Sequence, residues 1–252
     1  MTNVLSYAKC KQDLIIDDMR KRYNITVLLV DEFSEITEIL RSIEKKLFRN
    51  NIFVSGSAQI FDPFTEKEAQ DFISTLSGRL VKKGYNIISG FGLGVGSSVI
   101  TGALREIYSS SNTTIKNDKL ILRPFPQDIQ DQDMKKKLFT QYREDMISRA
   151  GISVFVFGNR GKKGAPDQVE NASGVLEELE IARKFNNLIV PVGCTGWVAK
   201  EIWNEMNENF LKHYPDADEQ LLNCFKKLDL KTKPDKLATA VIEFIDKISL
   251  GS

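Results

Sequence analysis

Apolar residues along this chain fall into short continuous runs that alternate with stretches of helical spacing. Ile52-Phe53-Val54-Ser55, Tyr85 to Ser89, Lys119 to Arg123, Ile152 to Phe157 and Leu188 to Val192 read as strands. Between them, 65–83, 97–108, 132–149 and 173–186 read as helices. Strands that are apolar almost throughout belong to a parallel sheet covered on both faces, because a half-exposed strand alternates. The pattern predicts a doubly wound, mainly parallel α/β domain over 51–252, with helices on both faces. Three further helical stretches, 196–213, 217–227 and 234–248, close the chain, and the polar run 109–117 predicts a loop.

Upstream, 10–22 reads as a helix and Ile25 to Val30 as a strand. Ser34 is expected to cap a helix whose apolar positions are Ile36, Ile39, Leu40, Ile43 and Leu47. A unit of about 50 residues buries too little to form a core alone. Residues 1–50 are therefore either the tail of another domain or an appendage packed on the α/β domain.

The segment Ser89-Gly90-Phe91-Gly92-Leu93-Gly94-Val95-Gly96-Ser97 carries the chemistry, because a strand runs into alternating glycines and then into a helix. Without Cβ atoms the main chain can approach an anion, and the first turn of the helix offers unpaired N–H groups and the positive end of its dipole. The glycine spacing matches neither the dinucleotide fingerprint nor the P-loop, which argues against an ordinary dehydrogenase or ATPase.

Ligands of parallel sheets bind beyond the carboxyl ends of the strands. Four segments converge there: Ser55-Gly56-Ser57, the glycine loop, Pro124-Phe125-Pro126, and Gly158-Asn159-Arg160-Gly161-Lys162-Lys163. Ser-Gly-Ser by itself is an ordinary turn. Together, hydroxyls from Ser55 and Ser57, amides from the loop and a cation from Arg160, Lys162 or Lys163 suit a nucleotide-type ligand. At a further helix start, Ser173 is expected to cap, Gly174 to give the backbone room, and Glu178 to accept ribose hydroxyls. Glu177 suits either a ligand or the helix dipole.

Composition narrows the classes. The 35 basic and 34 acidic residues among 252 leave no global field for nucleic acid. No run approaches the ~20 apolar residues of a membrane span, and Met1 to Lys11 lacks a signal-peptide core, so a cytoplasmic protein is expected. Cys10, Cys194 and Cys224 form no CxxC pair and His213 is the sole histidine. Those counts argue against a disulfide framework, a zinc site and histidine-based nucleophilic catalysis.

The order Ser-Gly-Ser, glycine loop, Tyr142-Arg143-Glu144-Asp145-Met146, apolar strand, Gly174-Val175-Leu176-Glu177-Glu178 resembles the SLOG superfamily. That superfamily has Rossmann-like domains and includes the Lonely Guy phosphoribohydrolases and the DNA-processing protein DprA. In the phosphoribohydrolases an Arg in Arg-Lys-x-x-Met and a Glu ending Pro-Gly-Gly-x-Gly-Thr-x-x-Glu handle the ribose phosphate. Arg143 with Met146, and Glu178 with Gly174, fall on these patterns. Glu170-Asn171-Ala172 replaces the Pro-Gly-Gly, and Gly90-Phe91-Gly92 replaces a Gly-Gly-Gly; both departures weigh against hydrolysis.

From about Asn51 onward the chain is more similar to the C-terminal SLOG sensor domain of the ThsA family of Thoeris antiphage effectors. Tyr23 to Val30 looks like the last strand of the sirtuin-like NADase domain that precedes it. The resemblance implies binding of a cyclic ADP-ribose isomer made by a TIR-domain protein, which switches on NAD destruction by the linked domain. It implies a homo-oligomer without cofactor or metal, and a chain that is regulatory and not itself an enzyme, with Met1 a truncation boundary and Gly251-Ser252 a cloning remnant. Arg143→Ala is then expected to abolish binding with little change in melting temperature. A phosphoribohydrolase acting on nucleoside monophosphates is the alternative.

Overall fold

In the computed structural model the described residues are 2–27, 29–109, 119–126 and 129–250. The chain divides into two compact units, Met1–Glu44 and Lys45–Ser252. The first holds helix α1 (Thr2–Tyr23) and most of α2 (Phe33–Phe48). The strand expected over Ile25 to Val30 is not found: 24–27 and 29–30 are coil and Leu28 lies outside the described residues. A β-branched run becomes a strand only beside another strand, and no other strand lies in this unit among the described residues. Ser34 does not cap α2 either, because the helix already begins at Phe33 and the Ser34 hydroxyl donates to Glu32 (3.2 Å).

The second unit runs β1 (Asn51–Ser57), α3 (Glu66–Lys82), β2 (Asn86–Ser89), α4 (Gly96–Ser109), β3 (Leu120–Leu122), α5 (Gln132–Ile147) and β4 (Ile152–Phe157). It continues with β5 (Asn159–Lys162), β6 (Ala165–Asn171), α6 (Ser173–Lys184) and β7 (Leu188–Pro191). Four helices come next: α7 (Trp197–Glu208), α8 (Phe210–His213), α9 (Glu219–Lys227) and α10 (Pro234–Leu250). Most of the loop expected over 109–117, and Gly251-Ser252, lie outside the described residues.

Five strands form one sheet in the order β3-β2-β1-β4-β7, parallel at every pair. β4 is buried at all six positions, as a strand covered on both faces must be. Its partners in β1 include Ser55 opposite Phe155 and Ser57 opposite Phe157. Helices α3, α4 and α10 pack together, and α5 packs against α6. The strand order reverses between β1 and β4, so the crevice past their carboxyl ends is where a sheet of this topology holds a ligand.

Sequence patterning missed one element. The segment after β4, expected as a loop, is an antiparallel hairpin in which Arg160 opposes Glu170 and Asn159 opposes Asn171. Lys163-Gly164 makes its turn, with Gly164 at φ +83°. The strand sequences Asn-Arg-Gly-Lys and Ala-Pro-Asp-Gln-Val-Glu-Asn lack apolar alternation, so hydrophobicity gives no strand signal there.

Candidate functional site

β1 delivers Ser55 to the switch point, where it is buried and its hydroxyl donates to Glu178 Oε2 at 2.5 Å. Glu178 stands in the second turn of α6 with 8% exposure. Arg143 of α5 reaches both carboxylates of that helix, from Nη1 to Glu177 Oε2 at 2.9 Å and from Nε to Glu178 Oε1 at 3.4 Å. The Thr140 hydroxyl donates to the other oxygen of Glu177. The guanidinium lies 4.9 Å over the Phe125 ring and 6.0 Å from that of Phe139. A Cβ on Gly174 would sit 2.7 Å from Arg143 Nη2, so the residue with no side chain makes the seat for the guanidinium.

Burial drives the Glu178 carboxyl above its ordinary range, against the downward pull of the Ser55 hydroxyl and of Arg143. Two carboxylates therefore share one cation, and one of the two is inside the protein.

The glycine loop joins the same rim. A Cβ on Gly90 would meet Phe125 at 3.0 Å and Met146 at 3.2 Å, which sets the start of the loop beside the ring that carries Arg143. Gly92 and Gly94 lean on the β1 turn, where an added Cβ would fall 2.0 Å from the Gly56 carbonyl oxygen and 2.3 Å from that of Ala58. The Ala58 N–H donates to Leu93 O at 2.8 Å, closing one turn on the other. The N–H groups of Val95 and Gly96 return to Gly92 O, while those of Gly92, Leu93, Gly94 and Ser97 have no partner among the described residues. Unpaired amides at a helix start are what an anion needs. Phe91 is exposed and held at φ +61°, Leu93 is exposed, and Val95 is buried.

Other expected ligand residues are used internally. Asn159 is fully buried; its Oδ1 accepts from the N–H groups of Gln59 (2.8 Å) and Ile60 (3.0 Å), and its Nδ2 donates to Ile60 O (2.9 Å). Ser57 donates its hydroxyl to the Asn159 carbonyl, and Gly158 N–H donates to Ser57 O. These bonds clamp the β1 turn to the base of the hairpin. Arg160 pairs with Glu170 at 2.9 Å across the hairpin, and exposed Lys162 is 3.5 Å from Gln168. Ser173 does not cap α6: Ala172 holds that place without a side-chain bond, and Ser173 is exposed in the first turn.

Sequence reading did not single out Thr140 and Phe139. Both were findable, since they lie three and four residues before Arg143 and so share its helix face. Removing Asn159 by Asn159→Ala is expected to lower stability by about 1–3 kcal/mol in urea denaturation, because a buried amide that bonds two backbone N–H groups and a carbonyl is lost. An unchanged midpoint would contradict the clamp. No cluster of three or more metal-ligating side chains occurs among the described residues.

Residues 35–248 match the Sir2- and TIR-associating SLOG family. The chain belongs to that family. Relatives named NAD(+) hydrolase ThsA match it at 43% identity over 244 residues in Bacillus cereus (strain MSX-D12) and at 37% over 244 residues in Enterococcus faecium. A third of that name, from Cytobacillus dafuensis, is 40% identical over 252 residues. These matches cover 96–97% of this chain but 49% of each relative, so the chain spans about half the length of the curated relatives it matches.

One expectation is corrected by these names. The chain reads from its sequence as regulatory and non-enzymatic, yet the relatives that match nearly all of it are named NAD(+) hydrolase, a name they carry as proteins of about twice its length. No helix among the described residues is long and apolar enough to cross a membrane.

Proposed function

We propose that residues 51–252 are the ligand-sensing SLOG portion of a Thoeris-type NAD(+) hydrolase, which captures a cyclic ADP-ribose isomer and thereby activates a linked sirtuin-like domain in antiphage defence. One observation carries the reading: a glycine loop with four amides that have no partner among the described residues starts beside Phe125, the ring that lies under the Arg143 guanidinium. Amides and guanidinium are complementary to a diphosphate, and Glu177 to ribose hydroxyls. Binding acts by favouring one arrangement of loops or subunits, with a power limited to its differential affinity for the two.

In this proposal residues 1–50 are the tail of the sirtuin-like domain. The relatives match about 96% of the chain, and the SLOG match begins at residue 35, so within 1–50 only the first 34 residues lie outside it and the remainder serves as the link between the two parts. The messenger comes from a TIR-domain protein, the assembly is a homo-oligomer, and the setting is the cytoplasm.

A thermal-shift screen of cyclic ADP-ribose isomers against linear ADP-ribose tests it. A ligand at about 100 times its Kd adds about 2.7 kcal/mol, which for a domain of this size is about 5–10 °C. One cyclic isomer is expected to reach that shift with linear ADP-ribose well below it. No shift with any isomer overturns the reading, and release of free base from nucleoside monophosphates would favour a phosphoribohydrolase.

A further inference from the structure

We propose that capture of the ligand diphosphate by Arg143 is coupled to protonation of Glu178, so that the site takes up about one proton for each ligand bound. The inference rests on the proposed function and adds to it a chemical event inside the protein.

The geometry sets up the exchange. A single guanidinium pairs with two carboxylates, and these differ in what remains when it turns to a phosphate. The Glu177 side chain is one-third exposed and keeps both the Thr140 hydroxyl and water. The Glu178 side chain is 10% exposed and keeps only the Ser55 hydroxyl from β1. Arg143 from α5 and the neighbouring Glu177 of α6 are the charged groups that act on it. Drawing Arg143 toward a phosphate weakens the one favourable charge, and the phosphate adds a negative one. A buried carboxylate that loses its cation is strongly disfavoured, and a proton is the cheapest replacement.

Ser55 suits both states. Its hydroxyl donates to the Glu178 carboxylate at 2.5 Å. Rotated, the same oxygen accepts from the protonated carboxyl, so the contact survives the exchange. Burial already holds Glu178 above its ordinary range, which shortens the step to full protonation. The proton comes from the buffer: one carboxyl O–H bond forms as the bond of that proton to the buffer acid breaks, and no bond between heavier atoms changes.

Calorimetric titration of the chain with ADP-ribose and with each cyclic ADP-ribose isomer, at about pH 7 in buffers of different ionisation enthalpy, measures the proton directly. The slope of observed enthalpy against buffer ionisation enthalpy is expected to show uptake of about one proton. Glu178→Gln is expected to bind with a slope near zero, and Glu177→Gln to bind more weakly but, at saturating ligand, with the same uptake. Should Glu178→Gln fail to fold, the pH profile of the unsubstituted chain decides, with Kd falling by up to about tenfold for each unit of pH decrease across the titration. Binding with zero slope and a flat pH profile overturns the coupling alone. Absence of heat and of thermal shift with every probe overturns the sensor reading, and the coupling falls with it.

Discussion

Arg143→Ala is expected to weaken binding of a cyclic ADP-ribose isomer by more than about 100-fold and to destabilise the domain by about 1–3 kcal/mol. The first effect follows from losing two charge-assisted bonds to a diphosphate, each worth about 1.5–3 kcal/mol, where 1.4 kcal/mol is tenfold in affinity. The second departs from the sequence-based expectation of an unchanged melting temperature, and the surroundings of the side chain explain why. Arg143 is 12% exposed, lies over Phe125, and is the only cation bonded to a buried Glu178 and to Glu177 among the described residues. Truncation leaves that carboxyl unpaired in the interior, a loss moderated because Glu178 can take up a proton. Titration calorimetry and thermal denaturation read the two effects separately. Arg143→Lys keeps the charge without the planar fork and is expected to fall between. Affinity equal to the unsubstituted chain would remove Arg143 from the site.

Much of the sheet was legible because its strands are buried on both faces, and such strands announce themselves as unbroken apolar runs. The apolar run from Ile152 to Phe157 coincides with β4, and the other four runs match their strands within three residues. The same rule failed where apolar character and pairing part company. Ile25 to Val30 has the composition of a strand and no neighbour in its unit among the described residues, whereas Asn159–Lys162 and Ala165–Asn171 pair without it. In the site, residue identities were readable but not their allegiance. Ser57 and Asn159 look like ligand donors from sequence, yet they spend their polar atoms on the protein. Only coordinates show Arg143 spanning Glu177 and Glu178, since helix spacing relates residues on α6 or on α5 but never across the two.

Gly92→Ala is expected to disable the site from a position that contributes no side chain. The added methyl carbon would lie 2.0 Å from the Gly56 carbonyl oxygen and 3.2 Å from its carbon, both backbone atoms of β1 beside β4. A flexible side chain could swing aside, but a strand in the middle of a parallel sheet cannot, so the glycine loop must lift. Lifting strains the Ala58 N–H to Leu93 O bond and moves the unpaired amides of Gly92, Leu93 and Gly94 off the rim. Overpacking of this kind costs about 1–3 kcal/mol, and affinity for the diphosphate is expected to fall by more than about 100-fold because several of its amide donors move together. Gly164→Ala supplies the control. Its φ of +83° carries the conformational cost of about 1 kcal/mol, but nothing lies within 4 Å of the added carbon, and binding should survive. The comparison separates two reasons for a glycine: freedom to adopt a left-handed turn, and absence of atoms where two backbones meet. If both variants bind alike and unfold alike, close approach of the two turns is not what the alternating glycines provide, and the anion-binding rim has to be sought elsewhere on the sheet.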